Sequence, residues 1–265
     1  MSHFHKIIGD GEVGVAFATD GDPKHPPITF SHSLAASSSM WAPQVEAFAN
    51  RFYIIRVDVR GHGRSDVPPG PYRFETLASD IVAVWDALGI ARSTFVGLSL
   101  GGIIGASLGL RHVSRLNKLV LADCRFDATP AYIENWRQRK AALEKGGMEA
   151  VADVTMPTWL TESRRSSDPA LVEELRNGII ATNPVGWLGI VNALPSLDYK
   201  RQLKELALRT LVICGSQDAV RDEMKDCAAL LPDGRFAEIP NAAHVSNRDQ
   251  PQLFNETLMS FVGVG

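Results

Sequence analysis

Gly97-Leu98-Ser99-Leu100-Gly101 places one serine two positions from a glycine on either side. Alone, the pattern is weak, because a glycine-containing turn produces it by chance. Its surroundings are what nucleophilic chemistry needs. Residues 94–96 (Thr-Phe-Val) read as a strand, and 102–110, small and apolar, read as a helix. A strand, a tight turn and a helix hold a serine on an elbow, its hydroxyl exposed beside a helix N-terminus. Glycines flank it because side chains there collide with the neighbouring strand and helix. Phosphate-loop readings fail: position 99 lacks the glycine of a dinucleotide fingerprint, and no G-K-[ST] ending follows.

A serine hydroxyl needs a base at neutral pH, and the base needs an orienting carboxylate. Of seven histidines, His244 is the best placed, in the loop Asn241-Ala242-Ala243-His244 after the strand-like RFAEI of 235–239. Two acids qualify, each just past a strand: Asp218 in LVICGSQD and Asp123 in LVLADC. Both keep the order serine, acid, histidine, so the residues alone leave both open. An oxyanion hole draws one amide from the residue after the nucleophile, Leu100, and one from an early strand-end loop. Here that loop is ITFSHSLAASSSMW, and the amide is that of Leu34.

The elements that must position these groups alternate. Short apolar, β-branched runs at 28–30, 53–57, 94–96, 118–121 and 210–214 read as buried strands of a mostly parallel sheet. Between them lie helical patterns. Leu77, Ile81, Val84, Trp85 and Leu88 fall on one helix face, and Gly89 ends it. The class is α/β. The rhythm breaks over 128–197, which has no convincing strand but carries Pro130, Pro157, Pro169, Pro184, Pro195 and three of five tryptophans. One helix there begins at Asp168-Pro169, an N-cap followed by proline. We read 128–197 as a helical cap inserted into a core domain of 1–127 and 198–265. The alternative is a run of extra crossover helices.

The 265 residues, 45% hydrophobic and 22% charged, suit a globular chain with a large core. A net charge of −3 offers no electrostatic case for nucleic acid or an anionic membrane. No apolar run approaches a membrane span, and the opening MSHFHKIIGDGEVG has no signal core. Three scattered cysteines, Cys124, Cys214 and Cys227, fit neither a disulfide framework nor a zinc site, so a reducing cytoplasm is expected. The His3/His5 pair reads as part of a mobile terminus rather than a metal site. No cofactor or metal is expected.

With these residues in place, the chain resembles the α/β-hydrolase family from about 28 to 262. DVRGHGRS at 58–65 is similar to that family's turn after the fourth strand, making His62 a structural residue. Several stretches resemble bacterial 3-oxoadipate enol-lactonases: SHSLAASSSMW, RGHGRSDVPPGPY, VADVTMPTWLT and AAHVSNRDQPQLFN. The resemblance implies a mostly parallel eight-stranded sheet flanked by helices, with the cap after the sixth strand. It implies Ser99, Asp218 and His244 as the triad, with Leu34 and Leu100 as the oxyanion hole. Three departures stand out. His32 replaces the lactonases' usual asparagine. The loop 219–222 lacks their prolines. DCRFDATPAY differs from their small polar stretch.

The expected activity is hydrolysis of a small lactone or ester, first of all an enol-lactone of aromatic catabolism. General carboxylesterase, carbon–carbon bond hydrolase and slow-turnover ligand sensor are the alternatives. Such an enol-lactone carries a carboxylate, and Arg125, at the strand end entering the cap, is the candidate to grip it. A surface salt bridge is the competing reading of Arg125. Arg137 and Arg139 are weaker candidates for the same role, because a helix rich in charge is usually a solvated face. Ser33, Trp136 and Trp159 complete the candidate substrate contacts.

Overall fold

The computed structural model describes residues 3–9 and 12–263. Eight strands form one sheet: β1 (His3–Ile8), β2 (Gly14–Asp20), β3 (Pro27–Ser31), β4 (Tyr53–Val57), β5 (Ser93–Leu98), β6 (Leu116–Ala122), β7 (Thr210–Gly215) and β8 (Gly234–Ile239). Their order is β1-β2-β4-β3-β5-β6-β7-β8. β3 through β8 run parallel, β2 is antiparallel to β4, and β1 is antiparallel to β2. β5 and β7 are buried at every position, which requires helices on both faces. These helices are α1 (Ala42–Phe48), α2 (Phe74–Ala87), α3 (Leu100–Arg111), α8 (Arg221–Leu230), α9 (Ser246–Asp249) and α10 (Pro251–Val262), numbered with the four below. α3 packs on β5 and β6 and against α2, while α8 packs on β7 and β8.

Between β6 and β7 the chain makes α4 (Pro130–Trp159), α5 (Glu162–Ser167), α6 (Pro169–Ile180) and α7 (Pro184–Val191). Asp127 and Asp198, which flank this helical segment, form an isolated antiparallel bridge. α6 starts as its sequence predicts, with the Asp168 carboxylate accepting the Leu171 amide at 3.0 Å. α4 is two arms broken at Gly146 and Gly147, the latter with φ of 66°. A Cβ on Gly147 would meet nothing within 4 Å, so glycine is required there by the backbone, which it alone adopts without strain.

The N-terminus corrects the sequence reading. Residues 3–8 are an edge strand, with the His5 ring stacked on Phe17 at 5.2 Å and Lys6 paired with Asp66. The His3 side chain lies outside the described residues. β1 and β2 escaped because GVAFATD is rich in small residues of low strand preference. Its strand character comes from pairing with β4. Among the described residues, no helix is long and apolar enough to cross a membrane. All three cysteines are unpaired and buried.

Candidate active site

Ser99 sits between β5 and α3 with φ 56° and ψ −110°, a left-handed backbone that a tight elbow imposes. The glycines around it are dictated by contact. A Cβ on Gly97 would lie 2.0 Å from the Gly101 carbonyl oxygen, and one on Gly101 2.1 Å from the Ser31 carbonyl oxygen. The elbow is thus pressed onto the end of β3. The Ser99 amide donates to Ala122 O of β6 at 2.8 Å, and the Gly101 amide to His32 O at 3.1 Å.

His244 and Asp218 arrive from neighbouring strand ends. His244 Nε2 lies 2.9 Å from Ser99 Oγ, across 145 residues of sequence. His244 Nδ1 lies 2.8 Å from Asp218 Oδ2. Burial opposes a charge on His244, but the Asp218 carboxylate, its hydrogen bond and the nearby Asp123 charge outweigh it, so the imidazole titrates above its ordinary range. Burial likewise opposes ionisation of Asp218, and the His244 charge and hydrogen bond overcome it, holding the acid below its ordinary range. An ionised acid fixes hydrogen on Nδ1 and leaves Nε2 to accept the serine proton.

The His244 loop is clamped to the end of α4. The His244 and Val245 amides donate to Thr158 O and Trp159 O at 3.3 and 2.9 Å. The Asp249 carboxylate, 1% exposed, accepts from the amides of Ala243 and Thr161 and from the Thr161 hydroxyl. Sequence reading missed Asp249, whose only signal was its place in the AAHVSNRDQPQLFN stretch.

The loop after β3 carries Leu34. His32 behind it is buried, its Nε2 accepting the Val59 amide at 2.9 Å. Nδ1 therefore bears the proton and donates to Ser33 O at 2.7 Å. Burial keeps this ring neutral, lowering its pKa. The imidazole thus ties the loop to the turn after β4, and Ala35 follows with φ of 62°. The Leu34 amide makes no hydrogen bond among the described residues, and Leu100, first in α3, is an amide the helix leaves unpartnered. In that turn after β4, Asp58 accepts the amides of Ser38 and Arg64, and a Cβ on Gly63 would meet its carboxylate at 2.3 Å. His62 is buried there, pushed down to about 3 by burial and by His32, and is no part of the cavity lining.

A cavity of about 600 Å³ opens over Ser99 and His244, lined by Ser33, Leu34 and residues of the α4–α7 segment including Trp136, Trp159 and Trp187. Three arginines line it, and one of them, Arg165 of α5, donates to the Pro157 and Leu160 carbonyls. Arg125 is ion-paired with Glu223 on α8. Arg139, on the first arm of α4, bonds only neutral oxygens: Asn135 Oδ1 at 3.2 Å, and Thr155 Oγ1 and Thr158 Oγ1 at 3.4 Å each. Its guanidinium lies 4.9 Å from the Trp136 ring. Among the described residues it has no carboxylate partner, and burial lowers its pKa. Arg137, two residues earlier on the opposite helix face, is the solvated residue, 72% exposed and paired with Glu134. The sequence reading had grouped these two arginines together. The helix phase turns one outward and the other into the cavity.

Asp123 lies behind Asp218 at 0% exposure. One oxygen each of Asp123 and Asp218 and the Cys214 sulfur lie within 4.8 Å of one another. Both Asp123 oxygens already accept protein donors, Asp218 is engaged by His244, and burial pushes the thiol far up, keeping it protonated. The donors are spent on hydrogen bonds, which does not suit a metal.

A nucleophile elbow, a hydrogen-bonded Ser-His-Asp chain and a predominantly parallel eight-stranded sheet define a class, and the comparisons agree. The model for the alpha/beta hydrolase fold matches residues 26–251, and the chain belongs to that family. It is an ester or lactone hydrolase. It is 31% identical to 3-oxoadipate enol-lactonase 2 of Acinetobacter baylyi, over 97% of this chain and 96% of that protein. The crystal structure of the enol-lactonase from Burkholderia xenovorans LB400 superposes with a TM-score of 0.92, at 30% identity, covering 98% of this chain and 100% of that one. A putative carbamate hydrolase of Caulobacter segnis is 31% identical over 89% of this chain and 90% of its own length.

Proposed function

We propose that the protein opens a small carboxylate-bearing enol-lactone, of the 3-oxoadipate type, through an acyl-enzyme on Ser99. Ser99 Oγ attacks the ring carbonyl as its proton passes to His244 Nε2. Asp218 holds the imidazolium. The Leu34 and Leu100 amides receive the oxyanion, each such donor contributing about 2.7–4 kcal/mol of transition-state stabilisation. The ring C–O bond then breaks, and the enol oxygen takes the proton from His244. Because the substrate is cyclic, the leaving group stays tethered. Water activated by His244 attacks the ester, Ser99 recovers its proton, and the open acid leaves.

The observation that carries the substrate class is Arg139. Its partly buried guanidinium lines the cavity near His244 with only side-chain amide and hydroxyl partners, whereas Arg165 is held by two backbone carbonyls, so Arg139 leaves a site for an anion, which a carboxylate fills through two parallel hydrogen bonds. The likeness to enol-lactonases supports the same reading. The test compares 3-oxoadipate enol-lactone with a nitrophenyl ester of a neutral acid of similar length. The lactone should be turned over many times per protein, with kcat/KM at least roughly tenfold higher, about 1.4 kcal/mol. A fluorophosphonate adduct should map to Ser99, and Ser99→Ala should lose both adduct and turnover. An adduct elsewhere would overturn the nucleophile. A preference for the ester would overturn the substrate. Less than one turnover would make the protein a ligand sensor.

A further inference from the structure

Both positions at which a catalytic acid can follow a strand are filled. β6 and β7 are neighbours, and the first residue past β6 is Asp123, while Asp218 follows β7. Asp218 takes His244. Asp123 remains, with a backbone φ of 46°, in the left-handed region, and no exposure. Its Oδ1 accepts the Gly215 amide at 2.8 Å, and its Oδ2 accepts the Ser246 hydroxyl and, at 3.4 Å, the Ser246 amide. One carboxylate therefore joins the loop that carries Asp218 to the loop that carries His244.

Bracing alone does not call for a charge. An asparagine there could accept from Gly215 and donate to Ser246 Oγ, giving up only the long 3.4 Å contact from the Ser246 amide and avoiding the cost of burying an ion. It could not supply a second negative charge behind His244. The titratable groups around Asp123 are Asp218 and Cys214 from β7 and its loop, His244 from its own loop, and Cys124 beside it. Beyond them, Arg125 faces Asp218, Arg139 faces His244, and Cys227 and Glu223 of α8 face Cys124. Among the described residues no cation lies within ion-pair distance of Asp123.

We propose that Asp123 is a positioning acid of this site, whose carboxylate braces the Asp218 and His244 loops and whose charge helps set the pH below which His244 no longer serves as base. The proposal rests on the reading of Ser99 and His244 as nucleophile and base. Burial, and then the like charge of Asp218, push the Asp123 pKa up to about 7, so its charge changes near neutrality. A negative Asp123 favours the imidazolium. Removing it must lower the pH at which His244 becomes protonated.

The experiment measures kcat/KM for the neutral nitrophenyl ester from pH 5 to 9 in wild type, Asp123→Asn and Ser246→Ala, with the His244 ring titration followed by NMR. Asp123→Asn should move the acid limb and the NMR midpoint down together, by about half a pH unit or more. Its plateau rate should fall, since the imidazolium formed in the transition state loses support. A merely structural brace would lower the rate and leave both midpoints in place, which would overturn the proposal. If Asp123→Asn does not fold, Ser246→Ala decides. Losing that hydroxyl donor lets Asp123 keep its proton to higher pH, so the limb should move the same way by a smaller amount, and an unmoved limb overturns the proposal. Ser99→Ala separates the two readings. Residual turnover in that variant would remove the underlying mechanism, while the NMR midpoints in the same background still test the effect of Asp123 on His244.

Discussion

Arg125, Arg139 and Arg165 line the cavity, and among the described residues Arg125 alone of the three has an anionic partner. Replacing Arg125 removes one member of a partly buried ion pair and strands Glu223, a cost in stability that is blind to substrate charge. Replacing Arg139 strands no anion. Arg139→Ala should therefore raise KM for the carboxylate-bearing lactone by tenfold or more, roughly 1.4 kcal/mol, and change the neutral ester less than about twofold. Arg125→Ala should affect both substrates alike. Steady-state kinetics on the two substrates checks both expectations, and equal losses with Arg139→Ala would place the carboxylate elsewhere. The sequence could rank Ser99, His244 and two acids because strand ends and loops leave local marks. Which acid takes His244, and which arginine faces inward, depends on angles between elements that one-dimensional spacing does not carry.

The elbow shows how an element is fixed by its neighbours. Gly101 touches the end of β3 closely enough that a Cβ would meet backbone on Ser31 at 2.1 Å, and its amide holds the carbonyl of His32 in the oxyanion loop. Backbone at that contact cannot swing aside as a flexible side chain can. Gly101→Ala should lower Tm by several degrees, since about 1 kcal/mol shifts a domain of this size by roughly 2–4 °C. It should also reduce kcat more than it raises KM, because Leu34 is displaced with the loop. Calorimetry with steady-state kinetics tests this, and an unchanged kcat would show the loop to be independent of the elbow. Strands β3 to β8 and helices α2, α3 and α6 were legible because each has its own periodicity, proline or cap. β1 and β2 were not, since their pairing partner supplies their strand character. Nor was the break at Gly146–Gly147, because glycine pairs mark a turn without giving its direction.

Across the whole molecule, buried ionisable groups set how stability responds to pH, and they pull in opposite directions. His62 has an ordinary pKa of 6.5 and is held at about 3 by burial. Its contribution is present above 6.5 and is lost as pH falls towards 3, because the unfolded chain takes up the proton first. Asp123 is raised from 3.8 to about 7. Its contribution is present below 3.8 and is lost as pH rises towards 7, because the unfolded chain releases the proton first. Over the range between, the two slopes offset one another, and wild-type stability should be flatter than either group alone would make it. Asp123→Asn removes one slope and leaves the other. Urea midpoints of wild type and variant, measured from pH 4.5 to 7.5, should show the difference moving steadily in the variant's favour as pH rises, whatever the offset at the acid end. A difference that stays constant across that range would mean that Asp123 keeps an ordinary pKa inside the folded protein, and that the folded state accommodates its charge without cost.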